Sequence, residues 1–318
     1  MIFKERYKLV ERIGKGGFAE VFKVSDQIEG KFYALKGYTK NDKDENINNI
    51  IENCKKEIEI MEKIKSKYVV KLKENFYDEI YQGYCIVMEL CDDDLKNLLK
   101  KYKSKGLPLK LINKIFLQLN DVLKEMYEKN IVHRDLKPAN ILINYIDKDK
   151  LNFDIKLTDF GLSTYVINSS IHTYTKAGTK NYCAPEIETY HYNNKCDLWS
   201  LGVILYELYT NKYIFDSENN RKKGLINKTD NENINKLLKK LIQVDINKRI
   251  EWNKYFEDEF FKINKFIGKE YYYNGQLLFE GEYLNGERNG KGKKYYFDGI
   301  LEFEGEYSNG ERMGCKIL

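Results

Sequence analysis

The sequence predicts an α+β fold in which short strands come first, long helices follow and a separate all-β segment comes last. Runs rich in β-branched and aromatic residues, such as 31–36 and 84–89, have the composition of strands. Apolar residues at helical spacing predict helices at 50–66, 111–130, 196–210 and 233–244. The last part of the chain carries a tandem repeat rich in aromatic residues and turn-forming dipeptides, which predicts repeated hairpins.

The composition is that of an ordinary soluble globular protein, with 42% hydrophobic and 32% charged residues. A chain of 318 residues is long enough for one large domain and a small appendage. The net charge of +5 is modest and spread along the chain, so we expect no nucleic-acid partner. Six cysteines without Cys-x-x-Cys spacing, and no recognisable secretory leader, predict reduced thiols in a cytoplasmic protein.

A glycine-rich stretch at residues 13–21, with the sequence IGKGGFAEV, is the first candidate for phosphate binding. Glycines let backbone amides approach phosphate oxygens because no Cβ stands in the way. Similar glycines occur in dinucleotide-binding turns, but a helix follows in those. Here residues 20–24 continue as a strand, which favours a β-hairpin that covers the phosphates.

The most informative motif is HRDLKPAN at residues 133–140, followed by DFG at 159–161. These motifs supply an acid that can take a hydroxyl proton and a lysine beside it. They also supply an asparagine and a second acid that can hold magnesium. This is most of the apparatus that moves a phosphoryl group from a nucleotide to an alcohol. The motifs resemble the catalytic loop and metal-binding motif of eukaryotic protein kinases, and the resemblance extends over about residues 7–261.

The resemblance implies a two-lobed protein kinase fold with a β-rich N-lobe and a mainly helical C-lobe. It implies ATP and Mg²⁺ as cofactors, and Asp135 as the base that accepts the proton of the substrate hydroxyl. Lys137 would neutralise the transferred phosphoryl group, and Thr179 would hydrogen-bond both side chains. Asn140 and Asp159 would hold the magnesium ions, because this hard cation prefers oxygen ligands.

For the nucleotide, the resemblance makes Lys36 the cation that grips the α- and β-phosphates. Glu57, on the helix predicted at 50–66, would be its anionic partner, and Glu52 and Glu59 on the same helix remain rivals. The full set expected to bind the nucleotide is Ile13, Gly14, Lys15, Gly16, Gly17, Phe18, Ala19, Glu20, Val21, Ala34, Lys36, Glu57, Met88, Glu89, Cys91 and Leu142.

Met88 would gate the pocket behind the adenine, and residues 89–91 would form the hinge whose backbone pairs with it. The acids at 92–94 have two interpretations. They would contact the ribose, or they would occupy a helix N-terminus, where the helix dipole favours acids.

Lys137 and the sequence GTKNY at 178–182 match the serine/threonine branch of the family, so serine and threonine hydroxyls of proteins are the expected substrates. Thr175 is the favoured regulatory phosphosite, ahead of its neighbours at 173 and 174. Arg134 is the cation expected to receive that phosphate.

The tail repeats itself: residues 269–290 align with 293–314 at an offset of 24, and 15 of the 22 pairs are identical. The dipeptides at 285–286 and 309–310 are Asn-Gly, which tolerates positive φ and therefore predicts hairpin turns. The unit FEGEYxNGERxG resembles a MORN repeat. We expect three segments: a protein kinase domain at 7–261, a linker at 262–268 and MORN-like β-hairpin repeats at 269–318.

Residues 262–318 hold nine basic and nine acidic residues, so a membrane surface is not the expected partner of this neutral tail. Two units fall below the three or so that usually support a repeat array. We therefore expect the tail to dock on the C-lobe or on another protein. The tyrosine-rich runs at 271–273 and 295–297 are expected to form the core of the hairpins.

Two functions are compatible with these motifs. The first expectation is an ATP- and magnesium-dependent kinase that phosphorylates serine and threonine on proteins, because every catalytic position of the family is filled. The alternative is a kinase-shaped scaffold that recruits a partner through the repeats, with incidental activity. Loss of Lys36, Asp135 or Asp159 would favour the scaffold, and none of the three is lost.

Overall fold

The structure, a computed structural model, describes residues 1–15, 19–39, 47–102, 106–147, 152–166, 171–172, 179–189, 191–262, 266–272, 275–284, 287–308 and 310–313. The chain divides into two compact units. One comprises residues 1–101 and 118–204, and the other comprises residues 102–117 and 205–318.

The first unit opens with six strands, β1 (Ile2–Phe3), β2 (Tyr7–Lys15), β3 (Glu20–Asp26), β4 (Phe32–Thr39), β5 (Leu72–Asp78) and β6 (Gly83–Glu89). They form one antiparallel sheet in the order β1-β2-β3-β4-β6-β5. Phe22 and Val24, alternate residues of β3, are buried with Phe3, Tyr7 and Leu35 in one core cluster. This alternation is the period of a half-buried strand, and it confirms that strands come first.

Helix α1 (Ile47–Lys63) follows β4 in the chain. Cys54, Ile58 and Met61 are buried at helical spacing and form the inner face of α1. The helix ends three residues before the expected end at 66, and Ile64 is buried just beyond it. The same inner face carries Glu57, whose burial matters for the site described below.

Short elements in the rest of the first unit hold the loops with the predicted chemistry. They are β7 (Asp93–Asp94), α2 (Leu95–Lys101), the second part of α3 (Leu109–Glu128), β8 (Ile131–Val132), β9 (Ile141–Asp147), β10 (Asn152–Leu157), β11 (Thr164–Tyr165), β12 (Ile171–His172), β13 (His191–Tyr192) and the first part of α4 (Cys196–Thr210). Three small antiparallel sheets result, β10-β9-β7, β11-β8 and β12-β13. Strands β8 and β9 flank the HRDLKPAN motif, and β10 and β11 flank DFG.

The second unit contains the remaining parts of α3 and α4, and then α5 (Glu218–Lys223), α6 (Glu232–Leu241), α7 (Trp252–Phe256) and α8 (Glu259–Lys262). Helix α4 has the predicted bounds, whereas α6 ends three residues before the expected 244. Helix α5 is capped at both ends. At its N-terminus Ser217 Oγ accepts a hydrogen bond from Asn220 N at 3.2 Å, and at its C-terminus Gly224 adopts the left-handed conformation with φ of 65°. Within the described ranges, no helix has the length and apolar composition needed to cross a membrane.

The tail forms a sheet of β14 (Phe266–Tyr271), β15 (Leu277–Leu284), β16 (Glu287–Tyr295), β17 (Leu301–Ser308) and β18 (Glu311–Met313), in which each strand pairs antiparallel with the next. Leu284 pairs with Glu287 and Ser308 with Glu311, so the strands pair directly on either side of both predicted Asn-Gly dipeptides. Residues 285, 286 and 309 of these dipeptides lie outside the described residues. Strand β14 already includes 266–268 of the expected linker, of which 263–265 also lie outside the described residues.

The packed face of this sheet consists of Phe279, Tyr283, Phe303 and Tyr307. Tyr271, Tyr296 and Phe297 are 58%, 52% and 46% exposed, so the expectation that the tyrosine-rich runs form the core is wrong for these residues. They lie where the hairpins reverse, next to Gly275 and Gly299 with φ of 88°. The core follows the alternation of β15 and β17 instead.

A charged cluster joins this tail sheet to the start of α3 within the second unit. Lys110 Nζ lies 3.4 Å from Oε1 of Glu270 on β14 and 5.4 Å from the ring centroid of Tyr283. Glu270 also accepts hydrogen bonds from the Tyr283 hydroxyl at 2.6 Å and from Arg288 Nη2 at 2.7 Å. Burial alone would raise the pKa of Glu270, but Arg288 and Lys110 hold it below its usual value.

Candidate active site

The catalytic-loop motif between β8 and β9 is anchored by Asp197 in the first turn of α4. The backbone amides of His133 and Arg134 donate to the buried Asp197 carboxylate at 2.7 and 2.9 Å. Arg134 has φ of 67°, a left-handed conformation that costs an L-residue roughly 1–3 kcal/mol. The two hydrogen bonds to Asp197 hold this strained turn in place. His133 itself is fully buried, and the centroid of its ring lies 5.1 Å from that of Phe160, so it packs in the core beneath the loop.

Four donors fix the carboxylate of Asp135. Its Oδ1 accepts hydrogen bonds from Thr179 N and Thr179 Oγ1, both at 2.8 Å. Its Oδ2 accepts from Lys137 Nζ at 2.6 Å and from Asn140 Nδ2 at 3.1 Å. Lys137 Nζ also donates to Thr179 Oγ1 at 2.8 Å. The structure therefore brings together all three predicted catalytic side chains, and Asp135 has one well-defined orientation.

The two predicted magnesium ligands, Asn140 and Asp159, both follow Asp135 in the chain. Asn140 Nδ2 donates to the carbonyl oxygen and carboxylate of Asp135 at 2.9 and 3.1 Å, which leaves its Oδ1 for another partner. The Lys36 ammonium, 2.7 Å from Asp159 Oδ1, lowers the pKa of Asp159 to about 2. Asp159 Oδ2 has no donor among the described residues, and the side chain is 41% exposed. An ionised carboxylate oxygen and an amide oxygen fit the ligand preference of Mg²⁺.

Lys36 on β4 lies between two acids. Its Nζ is 2.8 and 3.1 Å from the two carboxylate oxygens of Glu57 and 2.7 Å from Asp159 Oδ1. Burial alone would lower the pKa of Lys36, but the Glu57 and Asp159 charges raise it well above its usual value. The rivals behave differently, since Glu59 pairs with Lys63 at 2.7 Å on the exposed side of α1 and Glu52 is exposed. Glu57 is thus the partner of Lys36 in the structure.

Sequence reasoning missed a third contact of Glu57. The hydroxyl of Tyr38 donates a hydrogen bond to Glu57 Oε2, and Lys36 Nζ lies 5.2 Å from the centre of the Tyr38 ring. The alternation of β4 was the available signal, because residues two apart on a strand share a face.

The glycine-rich loop is a hairpin, as the absence of a following helix predicted. Gly14 pairs with Val21 and Lys15 with Glu20 across β2 and β3. Ile13 lies on β2 and is 47% exposed, and Ala19 directly precedes β3. Residues 16, 17 and 18 at the tip lie outside the described residues.

The predicted gate, Met88, and the first hinge residue, Glu89, are the last two residues of β6, and Cys91 lies just beyond the strand. Met88 is buried and pairs with Ala34 across the sheet. The side chain of Glu89 is engaged by Lys71 N at 2.7 Å and Lys156 Nζ at 2.8 Å, so its carboxylate faces protein donors. The backbone of Cys91 makes no hydrogen bond to another described residue, as a hinge that pairs with a base requires. Burial raises the pKa of the Cys91 thiol to about 12.

Protein donors engage the acids at 92–94. Asp94 Oδ1 accepts the amide of Asn97 at 2.7 Å, which supports the interpretation of Asp94 as an acid at the N-terminus of α2. Asp92 accepts the Tyr145 amide at 2.8 Å. Leu142 on β9 is half-buried and pairs with Asp94 across β7 and β9.

The expected phosphosite and its two neighbours, residues 173–175, lie outside the described residues. Arg134, the expected receptor of the phosphate, donates to the carbonyl of Leu162 and, at 2.8 Å, to the hydroxyl of Tyr192. Lys56 on α1 is a basic neighbour that sequence reasoning missed. Its Nζ donates to Thr164 Oγ1 at 2.9 Å, and burial, together with the positive charge of Arg134, lowers its pKa.

Residues 7–261 match the family described as the protein kinase domain. The chain is 31% identical over 288 residues to the probable serine/threonine-protein kinase nek1 of Dictyostelium discoideum, an alignment that covers 83% of this chain and 57% of the relative. It is 33% identical over 268 residues to calcium-dependent protein kinase 3 of Plasmodium berghei, with 80% and 46% of the two chains covered. It is 30% identical over 310 residues to serine/threonine-protein kinase ATG1 of Kluyveromyces marxianus, with 80% and 36% covered. The chain thus spans about half the length of these curated relatives, or less. The HRDLKPAN and DFG motifs, the geometry around them and the family match over residues 7–261 lead to one conclusion: this chain belongs to the protein kinase domain family.

Proposed function

We propose that this chain transfers the terminal phosphoryl group of ATP to serine and threonine hydroxyls of proteins and depends on Mg²⁺. The observation that carries the proposal is the position of Lys36, 2.8 Å from Glu57 and 2.7 Å from Asp159. A phosphate-binding lysine that is paired with an acid on a neighbouring helix and lies beside a metal-binding acid is what protein kinases require for catalysis. The names of the three relatives support the same activity.

Asp135 is the proposed base. Because Thr179 and Lys137 fix its carboxylate, a substrate hydroxyl meets an acceptor that needs no reorientation. General-base assistance of this kind is worth about 10²–10⁴ in rate. Lys137, 2.6 Å from Asp135 Oδ2, is proposed to balance the negative charge of the transferred phosphoryl group. The shared contact of Lys137 and Thr179 with Asp135 supports the serine/threonine assignment.

Asn140 and Asp159 are the proposed magnesium ligands. The ion would neutralise the charge that develops on the phosphate oxygens. Asn140 would offer Oδ1 and Asp159 would offer Oδ2, the two oxygens without a protein donor among the described residues. The low pKa of Asp159, about 2, keeps this ligand ionised at neutral pH.

The nucleotide is proposed to lie between the glycine-rich hairpin at 13–21 and the strand that carries Leu142. Ala34 and Met88 would contact the adenine, and the free backbone groups of Cys91 would hydrogen-bond it. The paired positions of Ala34 and Met88 on neighbouring strands support this arrangement.

Phosphorylation of Thr175 is proposed to raise activity. A phosphate there would need cations, and Arg134 and Lys56 are close enough for each to influence the other electrostatically. A phosphate group adds about −1.5 to −2 charge units at pH 7, which two neighbouring cations would stabilise.

The activity is tested with Asp159→Asn, which keeps the shape of the side chain and removes its charge. We expect the native chain to transfer phosphate from ATP and Mg²⁺ to a generic serine- and threonine-containing protein at about 1–100 per second. Asp159→Asn should lower that rate by about 10²-fold or more. Asp298→Asn is the matched control, because Asp298 is exposed and the other repeat has Asn274 at the same position. Equal rates in the native chain and Asp159→Asn would contradict the proposal.

A low native rate would first require phosphorylation of Thr175. If ATP binds and no transfer follows even then, the scaffold alternative replaces the kinase proposal, and the tail becomes the functional end of the chain.

For the tail, we propose that residues 269–318 are two MORN-like repeats that follow a kinase domain at 7–261 and a linker, and that they serve as a docking module. Intramolecular docking is supported by the contact of Lys110 with Glu270 and Tyr283. A protein partner on the rest of the sheet and a cytoplasmic location are proposed. The neutral charge of the tail argues against a membrane partner.

The two repeats differ where the first one meets α3. Glu270 of the first repeat corresponds to Lys294 of the second, and Leu278 corresponds to Glu302. In the first repeat Glu270 binds both Arg288 and Lys110, whereas in the second Glu302 binds Lys294 at 2.7 Å and also pairs with the equivalent arginine. An acid that can meet Lys110 therefore distinguishes the first repeat, which supports its role as the docking unit.

A further inference from the structure

Tyr38 occupies an unusual position beside the lysine of the candidate active site. It lies two residues after Lys36 on β4, so the two side chains share a face of the strand. The Tyr38 hydroxyl donates to Glu57 Oε2, and the Lys36 ammonium lies 5.2 Å from the ring centroid. Tyr38 is only 6% exposed. One phenol therefore contacts both members of the lysine–glutamate pair.

The Lys36 ammonium has no unused N–H donor for a phosphate. An ammonium group has three N–H donors and no acceptor. Lys36 makes three contacts, at 2.8 and 3.1 Å to Glu57 and at 2.7 Å to Asp159. A phosphate oxygen that binds Lys36 must therefore displace Glu57 or Asp159 from at least one donor. If Asp159 is displaced, Lys36 stays paired with Glu57 on α1. If Glu57 is displaced, that pairing is lost.

We propose that Tyr38 is a positioning residue that anchors Glu57, so that Lys36 exchanges Asp159, and not Glu57, for the phosphates of the nucleotide. The inference rests on the proposed function, since it assigns Lys36 to a nucleotide. Glu57 is held by a second donor and is 1% exposed, whereas Asp159 is 41% exposed and has no donor besides Lys36 among the described residues.

The surroundings leave the phenol little freedom. A Cβ on Gly161 would lie 3.3 Å from Glu57 Oε2 and 3.6 Å from the Tyr38 hydroxyl, so the DFG glycine closes the space around this contact. A Cβ on Gly83 would lie 2.3 Å from the backbone oxygen of Tyr38, so β6 packs tightly against this part of β4. Burial raises the pKa of Tyr38 well above its usual value, so the phenol remains a donor.

The plainer interpretation is that Tyr38 fills space and that its hydroxyl is incidental. Tyr38→Phe distinguishes a space-filling ring from an anchoring hydroxyl, because it keeps the ring and removes only the donor to Glu57. The matched control is Tyr84→Phe. Tyr84 pairs with Tyr38 across β4 and β6, but its hydroxyl donates to Asn75 Oδ1 at 2.7 Å and not to Glu57.

The experiment measures the Kd of ATP with Mg²⁺ by calorimetry, and KM and kcat for phosphate transfer, in the full chain. Loss of a hydrogen bond to a charged group should weaken ATP affinity in Tyr38→Phe about five- to tenfold. Tyr84→Phe should match the native chain, and the Tm values of the two variants should agree. An ATP affinity of Tyr38→Phe equal to that of Tyr84→Phe would overturn the proposal.

A double-mutant cycle tests whether Tyr38 acts through Glu57. In a Glu57→Gln chain the carboxylate that Tyr38 anchors is absent, so adding Tyr38→Phe should change the ATP affinity less than about twofold. The same five- to tenfold loss in that background would show that Tyr38 acts independently of Glu57 and would also overturn the proposal.

Failure of the proposed function is distinguishable from failure of this inference. If the native chain binds ATP but transfers no phosphate, and Tyr38→Phe still weakens binding relative to Tyr84→Phe, the inference holds while the kinase proposal fails. If the native chain binds no ATP, both fail.

Discussion

The two acids of the candidate site, Asp135 and Asp159, differ in the number of hydrogen-bond donors around them, in line with their expected roles. Asp135 has four hydrogen-bond donors and therefore one orientation. Asp159 has one donor, Lys36, and keeps an oxygen for another partner. A base must be fixed before its substrate arrives, whereas a metal ligand must leave an oxygen open.

Glu57→Gln tests the pairing of Lys36 at the scale of one residue. The amide keeps the size of the side chain but leaves the buried ammonium with Asp159 as its only anion, so Lys36 should be drawn away from α1. We expect kcat/KM for ATP to fall at least about tenfold, measured by steady-state phosphate transfer.

The control for that substitution is Glu59→Gln on the exposed side of the same helix, where Glu59 pairs with Lys63. An exposed i,i+4 ion pair contributes little to stability and lies outside the site, so activity should stay near the native value. If Glu59→Gln were as damaging as Glu57→Gln, the assignment of Glu57 would be wrong.

Among the secondary-structure elements, the first sheet depends on a buried carboxylate at the end of β3. Asp26 is fully buried and accepts hydrogen bonds from Arg6 Nε at 2.9 Å and Arg6 Nη2 at 2.7 Å. It also accepts the amides of Ile28 at 2.9 Å and Glu29 at 3.2 Å in the following turn. These contacts fasten the turn between β3 and β4 to the loop before β2, and the Arg6 hydrogen bond lowers the pKa of Asp26 below its usual value.

Asp26 should make the stability of the native chain depend on pH. Because its pKa is lower in the folded than in the unfolded chain, its contribution is complete above the unfolded pKa of about 3.9 and is lost as the pH falls toward the folded value. Asp26→Asn should lower Tm at pH 7 by about 5 °C, since Arg6 loses its buried partner. The difference in Tm from the native chain should shrink below about pH 4.

Thermal unfolding followed by circular dichroism from pH 3 to pH 8 checks this, with Asp298→Asn as the control for loss of an exposed carboxylate. A Tm difference between Asp26→Asn and the native chain that stays constant down to pH 3 would rule out the pH linkage.

Sequence reasoning works best where chemistry or periodicity is local. The bounds of α4 follow from one apolar run, and the motifs correctly predicted that Thr179 hydrogen-bonds Asp135 and Lys137. It works less well where a contact joins distant parts of the chain. The alternation of β4 places Tyr38 on the same face as Lys36, but it does not show that Tyr38 meets Glu57 on α1, and the pattern of α1 does not show that Lys56 meets Thr164.

The tail shows a further limit of sequence patterns. The Asn-Gly dipeptides predicted where the strands reverse. The core was not predictable in the same way, because Tyr271 and Tyr283 are both aromatic residues that could pack in a core. Only the position of the hairpin reversal tells the exposed Tyr271 from the buried Tyr283.

On the scale of the whole molecule, an ion pair between Lys110 and Glu270 links the tail to α3 in addition to the covalent chain. Lys110, Arg288 and the Tyr283 hydroxyl all meet Glu270. Two hairpin repeats have a small core of their own, so this cluster should contribute to keeping the tail folded and in place.

Glu270→Lys gives the first repeat the residue that the second has at Lys294 and places it opposite Lys110. We expect a protease to cleave the tail or the segment at 263–268 about three- to tenfold faster, because local opening becomes easier. The reversal Lys110→Glu combined with Glu270→Lys should restore part of the resistance.

Glu304→Lys is the control for this charge change, since Glu304 pairs with Lys293 in the same sheet and is half exposed. Cleavage of Glu304→Lys as fast as that of Glu270→Lys would mean that general loss of charge balance, and not docking on α3, explains the effect.

The contacts of Lys36 should link the binding of a cation at Asp159 to the binding of an anion at Lys36. All three of its donors are in use, and one of them is held by Asp159. A cation on Asp159 would weaken that contact and release a donor of Lys36, and an anion on Lys36 would in turn release Asp159. We therefore expect occupancy at the two side chains to be cooperative, and thermodynamic reciprocity would then require each ligand to strengthen the binding of the other by the same factor.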